Sequence, residues 1–291
     1  MQAYSRRNLN IILVITFMAQ IAFCLFVAIA GGVKAVPAPV LGLCQIIPGL
    51  IVLLFASSYR KRLAKLLRVF AVKWSVALGV VAAITVILCA AMVYLSGNNI
   101  PGELAGQIVQ YPMYEMLPAA LRAVPQYFIY LALMAPLVHL LNATGEEIMW
   151  RGYLLDVFLD RMAPKTALVA TGLVWGLWHV PMVVILNWVF PGLPLWGSLL
   201  FTLSLTAWGI LMAWARLRTE SLWPPIIMHA VFNAFIIGLY DLVAIPAANP
   251  LTSPWGLVGL IVVVPVSLWI FFSRNSLPES VMSQSPVYGV M

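Results

Sequence analysis

Apolar residues fill this chain in eight blocks, at about 9–30, 38–57, 74–95, 126–150, 166–187, 195–215, 222–240 and 255–272, with short polar or charged breaks between them. A helix needs roughly 20 apolar residues to cross a bilayer. Each block is about that long, so the pattern predicts an all-α polytopic membrane protein with eight transmembrane helices. The first block follows Arg6 and Arg7 in the manner of a secretory signal. It exceeds the roughly 7–15 residues of a signal core, and no small-x-small cleavage site leads into a polar mature start, so it is read as a retained span. The stretch 96–124 is the one long external segment; Pro101, Glu103, Tyr111, Met113, Tyr114, Glu115, Met116 and Leu117 suit a helix lying in the interface or a packed loop. The tail after Phe272, Ser-Arg-Asn-Ser-Leu-Pro-Glu-Ser, reads as disordered. No internal repeat of the kind found in secondary transporters is visible.

Composition agrees with the pattern. The chain is 63% hydrophobic and 9% charged, against about 25% charged in a soluble domain. A net charge of +7 would suggest a nucleic-acid partner in a soluble protein. Here the cations fall between the apolar blocks, where they set orientation and meet anionic lipid, so no nucleic acid is expected. With a cytoplasmic N-terminus, the inside loops hold Arg6, Arg7, Arg60, Lys61, Arg62, Lys65, Arg68, Lys73, Arg161, Lys165, Arg216, Arg218 and Arg274, and the outside loops only Lys34 and Arg122. That asymmetry puts both termini in the cytoplasm, of a plasma membrane if the source is bacterial. Cys24, Cys44 and Cys89 all lie inside apolar blocks and read as packing residues, with no disulfide framework.

Ionisable residues inside a membrane are costly and call for a reason. They gather in the middle of this chain. The fourth block ends in Ala143-Thr-Gly-Glu-Glu-Ile-Met-Trp-Arg-Gly-Tyr. Glu147 and Arg151 are four apart and share a helical face, while Glu146 points about 100° away. One carboxylate can pair with the arginine and leave the other for chemistry. The fifth block places His179 roughly 20 Å from its cytoplasmic end, with Trp175 one turn before it. The seventh carries His229 and Asn233, again four apart. Each motif alone has a structural alternative: charges snorkelling at a span end, or polar side chains joining helices. Together they supply a base, a polariser and oxyanion donors, the groups needed to add water to a carbonyl. They predict a catalytic cavity between the fourth, fifth and seventh spans. His139 has no polar company in sequence and is taken as structural or as an incidental pore lining. No G-x-S-x-G, H-E-x-x-H or phosphate loop occurs. Glu146, His179 and His229 also make a plausible zinc set.

Glu146-Glu147-x-x-x-Arg151, Trp175-x-x-x-His179 and His229-x-x-x-Asn233, in this order, resemble the CaaX protease and bacteriocin-processing (CPBP) family of intramembrane peptidases, which includes the CaaX prenyl endopeptidases. The second motif usually opens with Phe, so Trp175 is a departure that keeps an aromatic ring. The resemblance covers about 126–240 as a peptidase core, between an N-terminal region, 1–125, with three spans and the external segment, and a last span with its tail, 241–291. It implies an endopeptidase in which Glu146 activates a water also held by His179. Glu147 is then fixed by Arg151, and His229 and Asn233 donate to the oxyanion. Family members have been called metallopeptidases, yet the residue set permits a metal-free glutamate mechanism. No cofactor is expected, with zinc as the alternative. The implied partners are a membrane-associated protein or peptide substrate and the bilayer. A non-proteolytic scaffold, a bacteriocin-immunity protein and a transporter are the rival functions.

Overall fold

A computed structural model describes residues 6–95, 124–190, 192–240 and 250–283. Every regular element among them is helical. In chain order these are α1 (Arg6–Ile29), α2 (Ala38–Phe55), α3 (Arg60–Arg68), α4 (Val72–Leu95), α5 (Val124–Glu147), α6 (Leu155–Leu159), α7 (Pro164–Ile185), α8 (Pro194–Thr219), α9 (Trp223–Phe235), α10 (Leu257–Phe272) and α11 (Glu279–Met282). Two π-helical segments, Ile148–Leu154 and Ile236–Tyr240, follow α5 and α9. Proline stands in the first positions of α2, α7, α8 and α9, where its missing N–H costs no helical hydrogen bond.

This is an integral membrane protein. Among the described residues, five helices (α1, α4, α7, α8 and α9 with its π segment) are long and apolar enough to cross a bilayer, or six if α2 and α3 count as one bent span. That bend is 95° and falls at Ala56, just before the 3₁₀ turn Ser57–Tyr59. The reason lies in α3: Arg60, Lys61, Lys65 and Arg68 are not buried while Leu63 and Leu66 pack inward, an amphipathic pattern that suits an interface and not a span. The segment 96–124 lies outside the described residues except for Val124, which opens α5.

Large side chains such as Val14, Phe26, Leu54, Leu133, Leu141 and Ile261 are exposed, whereas Glu146, Glu147 and Arg151 are wholly buried. Large apolar side chains line the outside of the bundle while these three charged groups lie inside it, the reverse of a soluble domain. The bundle is not uniform. The membrane window of α8 is 72% buried and that of α1 only 28%, so α8 is a central helix and α1 a peripheral one. Lipid provides no hydrophobic drive between helices, so close approach through small residues matters. A Cβ on Gly172 or Gly176 of α7 would come within 2.7 or 2.8 Å of the Thr206 or Thr202 carbonyl of α8. A Cβ on Gly145 of α5 would lie 2.6 Å from the Gln45 carbonyl of α2.

Two local expectations are corrected. The tail after Phe272 is ordered as far as 283: Leu277 is buried, Lys165 Nζ donates to the Ser273 carbonyl at 2.7 Å, and Trp214 Nε1 donates to the Ser276 carbonyl at 2.7 Å. Backbone acceptors hold a segment whose side chains look unremarkable. Arg216 is no loop cation either; it is buried in the last turn of α8 and paired with Asp156.

Candidate active site

The last residues of α5 and the π segment after them carry the charges. A π turn fits one extra residue per turn and often marks functional positions. Within it, Arg151 Nη1 donates to Glu147 Oε1 at 2.9 Å, with both side chains fully buried. This is the four-residue pairing expected from sequence. Gly209 of α8 leaves room for the guanidinium, since a Cβ there would sit 3.1 Å from Arg151 Nη2. The guanidinium lies over Trp175, 4.0 Å from the ring centroid, a cation–π contact in a site without water competition.

Glu146 has different neighbours. Its Oε1 accepts from Gln45 Nε2 at 2.9 Å, and its Oε2 accepts from Trp175 Nε1 at 2.6 Å. No arginine or lysine touches it among the described residues. Two imidazoles face it instead. His179 Nδ1 is 2.8 Å from the Trp175 carbonyl. A carbonyl can only accept, so Nδ1 carries the hydrogen and Nε2 of the neutral ring has the lone pair. That Nε2 stands 3.9 Å from Glu146 Oε2. His229 Nδ1 is 2.8 Å from Glu147 Oε1, and its Nε2 is 3.9 Å from Glu146 Oε1. Each ring is thus anchored through Nδ1 and turns Nε2 toward one oxygen of the same carboxylate. A separation of 3.9 Å exceeds a hydrogen bond and is short enough for one water to touch both groups.

Asn233 lies one turn beyond His229 in α9, half-buried, with no side-chain hydrogen bond among the described residues. His139 stands two turns before Glu146 in α5, buried, and neither ring nitrogen has a partner among the described residues. No group of three or more His, Cys, Asp and Glu among the described residues is placed to hold a metal ion.

Residues 128–235 match the type II CAAX prenyl endopeptidase family, Rce1-like. The central segment of this chain is similar to the Rce1-like prenyl endopeptidases. Glu146, Glu147, Arg151, Trp175, His179, His229 and Asn233 all fall within it. Over 98 residues the chain is 35% identical to CAAX prenyl protease 2 of Methanococcus maripaludis, a match that covers 32% of this chain and 36% of that protein. The chain therefore spans about a third of the length of this curated relative.

Gln45 lies outside the Rce1-like segment, and sequence reasoning passed over it. It is a carboxamide in an otherwise apolar block, and a search confined to ionisable groups does not stop there. An amide in a span also needs a partner, and that weaker signal was available.

Proposed function

We propose that this protein is an intramembrane endopeptidase of the CaaX type, hydrolysing a peptide bond with water activated by Glu146 and without a bound metal. The observation that carries the reading is the 3.9 Å approach of two imidazole Nε2 atoms to the two oxygens of one fully buried carboxylate. Water held between Glu146 and His179 attacks the scissile carbonyl carbon. Glu146 takes one water proton as the C–O bond forms, and the carbonyl electron pair moves onto oxygen. Asn233 donates its amide N–H to that oxyanion, and His229 donates through Nε2, its other nitrogen held by Glu147. Glu146 then passes its proton to the amide nitrogen as the C–N bond breaks.

Two glutamates in different surroundings support different roles. Glu147, bonded to Arg151 and His229, is the anchor; Glu146, held by neutral donors, is the base. The substrate reading is a membrane-associated peptide of the CaaX kind, and 126–240 is the peptidase core. The eight-span layout with both termini cytoplasmic adds α2, α5 and α10 to the five helices α1, α4, α7, α8 and α9. Reporter fusions after Arg68 and after Gly106 should then report opposite sides of the membrane.

The test is cleavage of a prenylated CaaX peptide by detergent-purified protein. Wild type should cleave it and Glu146→Gln should not. An inert wild type in reconstituted membranes, with the fold intact, overturns the reading.

A further inference from the structure

We infer that Gln45 and Trp175 are positioning residues that clamp Glu146 between two neutral N–H donors, which makes the N-terminal span α2 part of the catalytic unit. The inference rests on Glu146 acting as the base.

A glutamate side chain has three rotatable bonds, and a base must meet its water within hydrogen-bond reach. Here each carboxylate oxygen takes one donor, from Gln45 at 2.9 Å and from Trp175 at 2.6 Å, which sets the plane of the carboxylate. The remaining lone pairs face His179 and His229. The donors are of a suitable kind. The indole N–H donates only and cannot take the proton that Glu146 must carry. Against a carboxylate, the Gln45 amide presents its NH₂, because two acceptors cannot bond. Neither adds a cation, so the carboxylate is oriented without the strong pairing that holds Glu147.

Both donors are themselves fixed. Trp175 is 1% exposed, with Arg151 over its face and the His179 and His229 rings edge-on at 5.7 and 5.5 Å. Gln45 is delivered by backbone contact. A Cβ on Gly145 would lie 2.5 Å from Ile46 Cα, and one on Gly49 would lie 2.6 Å from the Gly145 carbonyl. The α2 backbone at Gln45 thus touches the α5 backbone one residue before Glu146.

The test uses the full-length protein with Trp175→Phe, which keeps a ring under Arg151 and loses the N–H, and Gln45→Met, which keeps the length and loses the amide. Each should lower kcat by about 10–100-fold with KM changed less than about threefold, as expected for a misplaced base. Both should move the acid limb of the pH–kcat/KM profile, which a purely structural loss leaves in place. A second readout needs no activity. In protein with ¹⁵N-labelled indoles, the resonance missing from Trp175→Phe should shift in Glu146→Gln. Wild-type kcat in both variants beside an inactive Glu146→Gln overturns the clamp alone, as does an unshifted Trp175 resonance. An inert wild type overturns the peptidase reading alone and leaves the resonance to judge the clamp.

Discussion

Two buried carboxylate–arginine clusters lie within one stretch of chain, and they are built to opposite ends. Around Asp156, in α6 just after the π segment, every acceptor is taken by a strong donor. Tyr59 Oη donates to Oδ2 at 3.0 Å, Arg62 Nε donates to Oδ2 at 3.2 Å, and Arg216 pairs with Oδ1. Burial works against the Arg62 guanidinium, but Asp156 outweighs it and holds Arg62 above its ordinary range. This cluster ties α3 and α8 to α6 and leaves no basic oxygen for a reaction. Around Glu146 the donors are an amide and an indole, and the open side of the carboxylate faces two imidazoles. Burial and a nearby arginine are common to both. What separates a joint from a reactive centre is the charge of the donors and what faces the remaining lone pairs.

The largest effect should come from Glu146→Gln, which preserves shape and removes the base. The proteolytic rate should fall about 10²–10⁴-fold while the unfolding midpoint in detergent stays within a few degrees of wild type. Asp156→Ala should do the reverse. It leaves Arg216 buried and unpaired, so stability should fall by about 3–5 kcal/mol, read by thermal unfolding, while the folded fraction turns over at close to the normal rate. Equal loss of turnover in a stably folded Asp156→Ala protein would dissolve the distinction. Asn233→Ala comes next: loss of one oxyanion donor costs about 10²–10³-fold in kcat, with little change in stability for a half-buried side chain. A wild-type kcat there returns Asn233 to helix packing.

The contrast also explains which parts were legible in the sequence. Apolar runs and opening prolines announce α7, α8 and α9, because both are local. The Glu147–Arg151 pair is local too, set by a spacing of four. Gln45 meets Glu146 across 101 residues, through a glycine contact between α2 and α5 that no periodicity reports. Arg216 and Arg218 look alike at a span end, yet Arg216 turns inward because Asp156 waits there, and no rule of charge counting holds that information. The disordered reading of 273–280 failed because carbonyl acceptors, which every residue carries, fasten the tail. The π turn after Glu147 is equally silent in sequence, since nothing in the residue pattern marks the extra residue.

The smallest expected effect is none at all, on chelation, and it bears on the same comparison. A metal-centred version of the site would use Glu146, His179 and His229 as ligands. Tetrahedral zinc with ligands near 2.0–2.2 Å brings neighbouring donor atoms to about 3.4 Å of one another, whereas each Nε2 stands 3.9 Å from its Glu146 oxygen. Both oxygens already accept N–H donors, and Asn233 has no task in a zinc set. In a water-holding site these facts fit, because one water spans 3.9 Å and Asn233 serves the oxyanion. Purified, active protein should therefore keep its rate after dialysis against a zinc chelator, and elemental analysis should find far less than one zinc per chain. Near-stoichiometric zinc that tracks activity, with loss on chelation and recovery on adding zinc or cobalt, would make Glu146 a ligand and end its role as the free base.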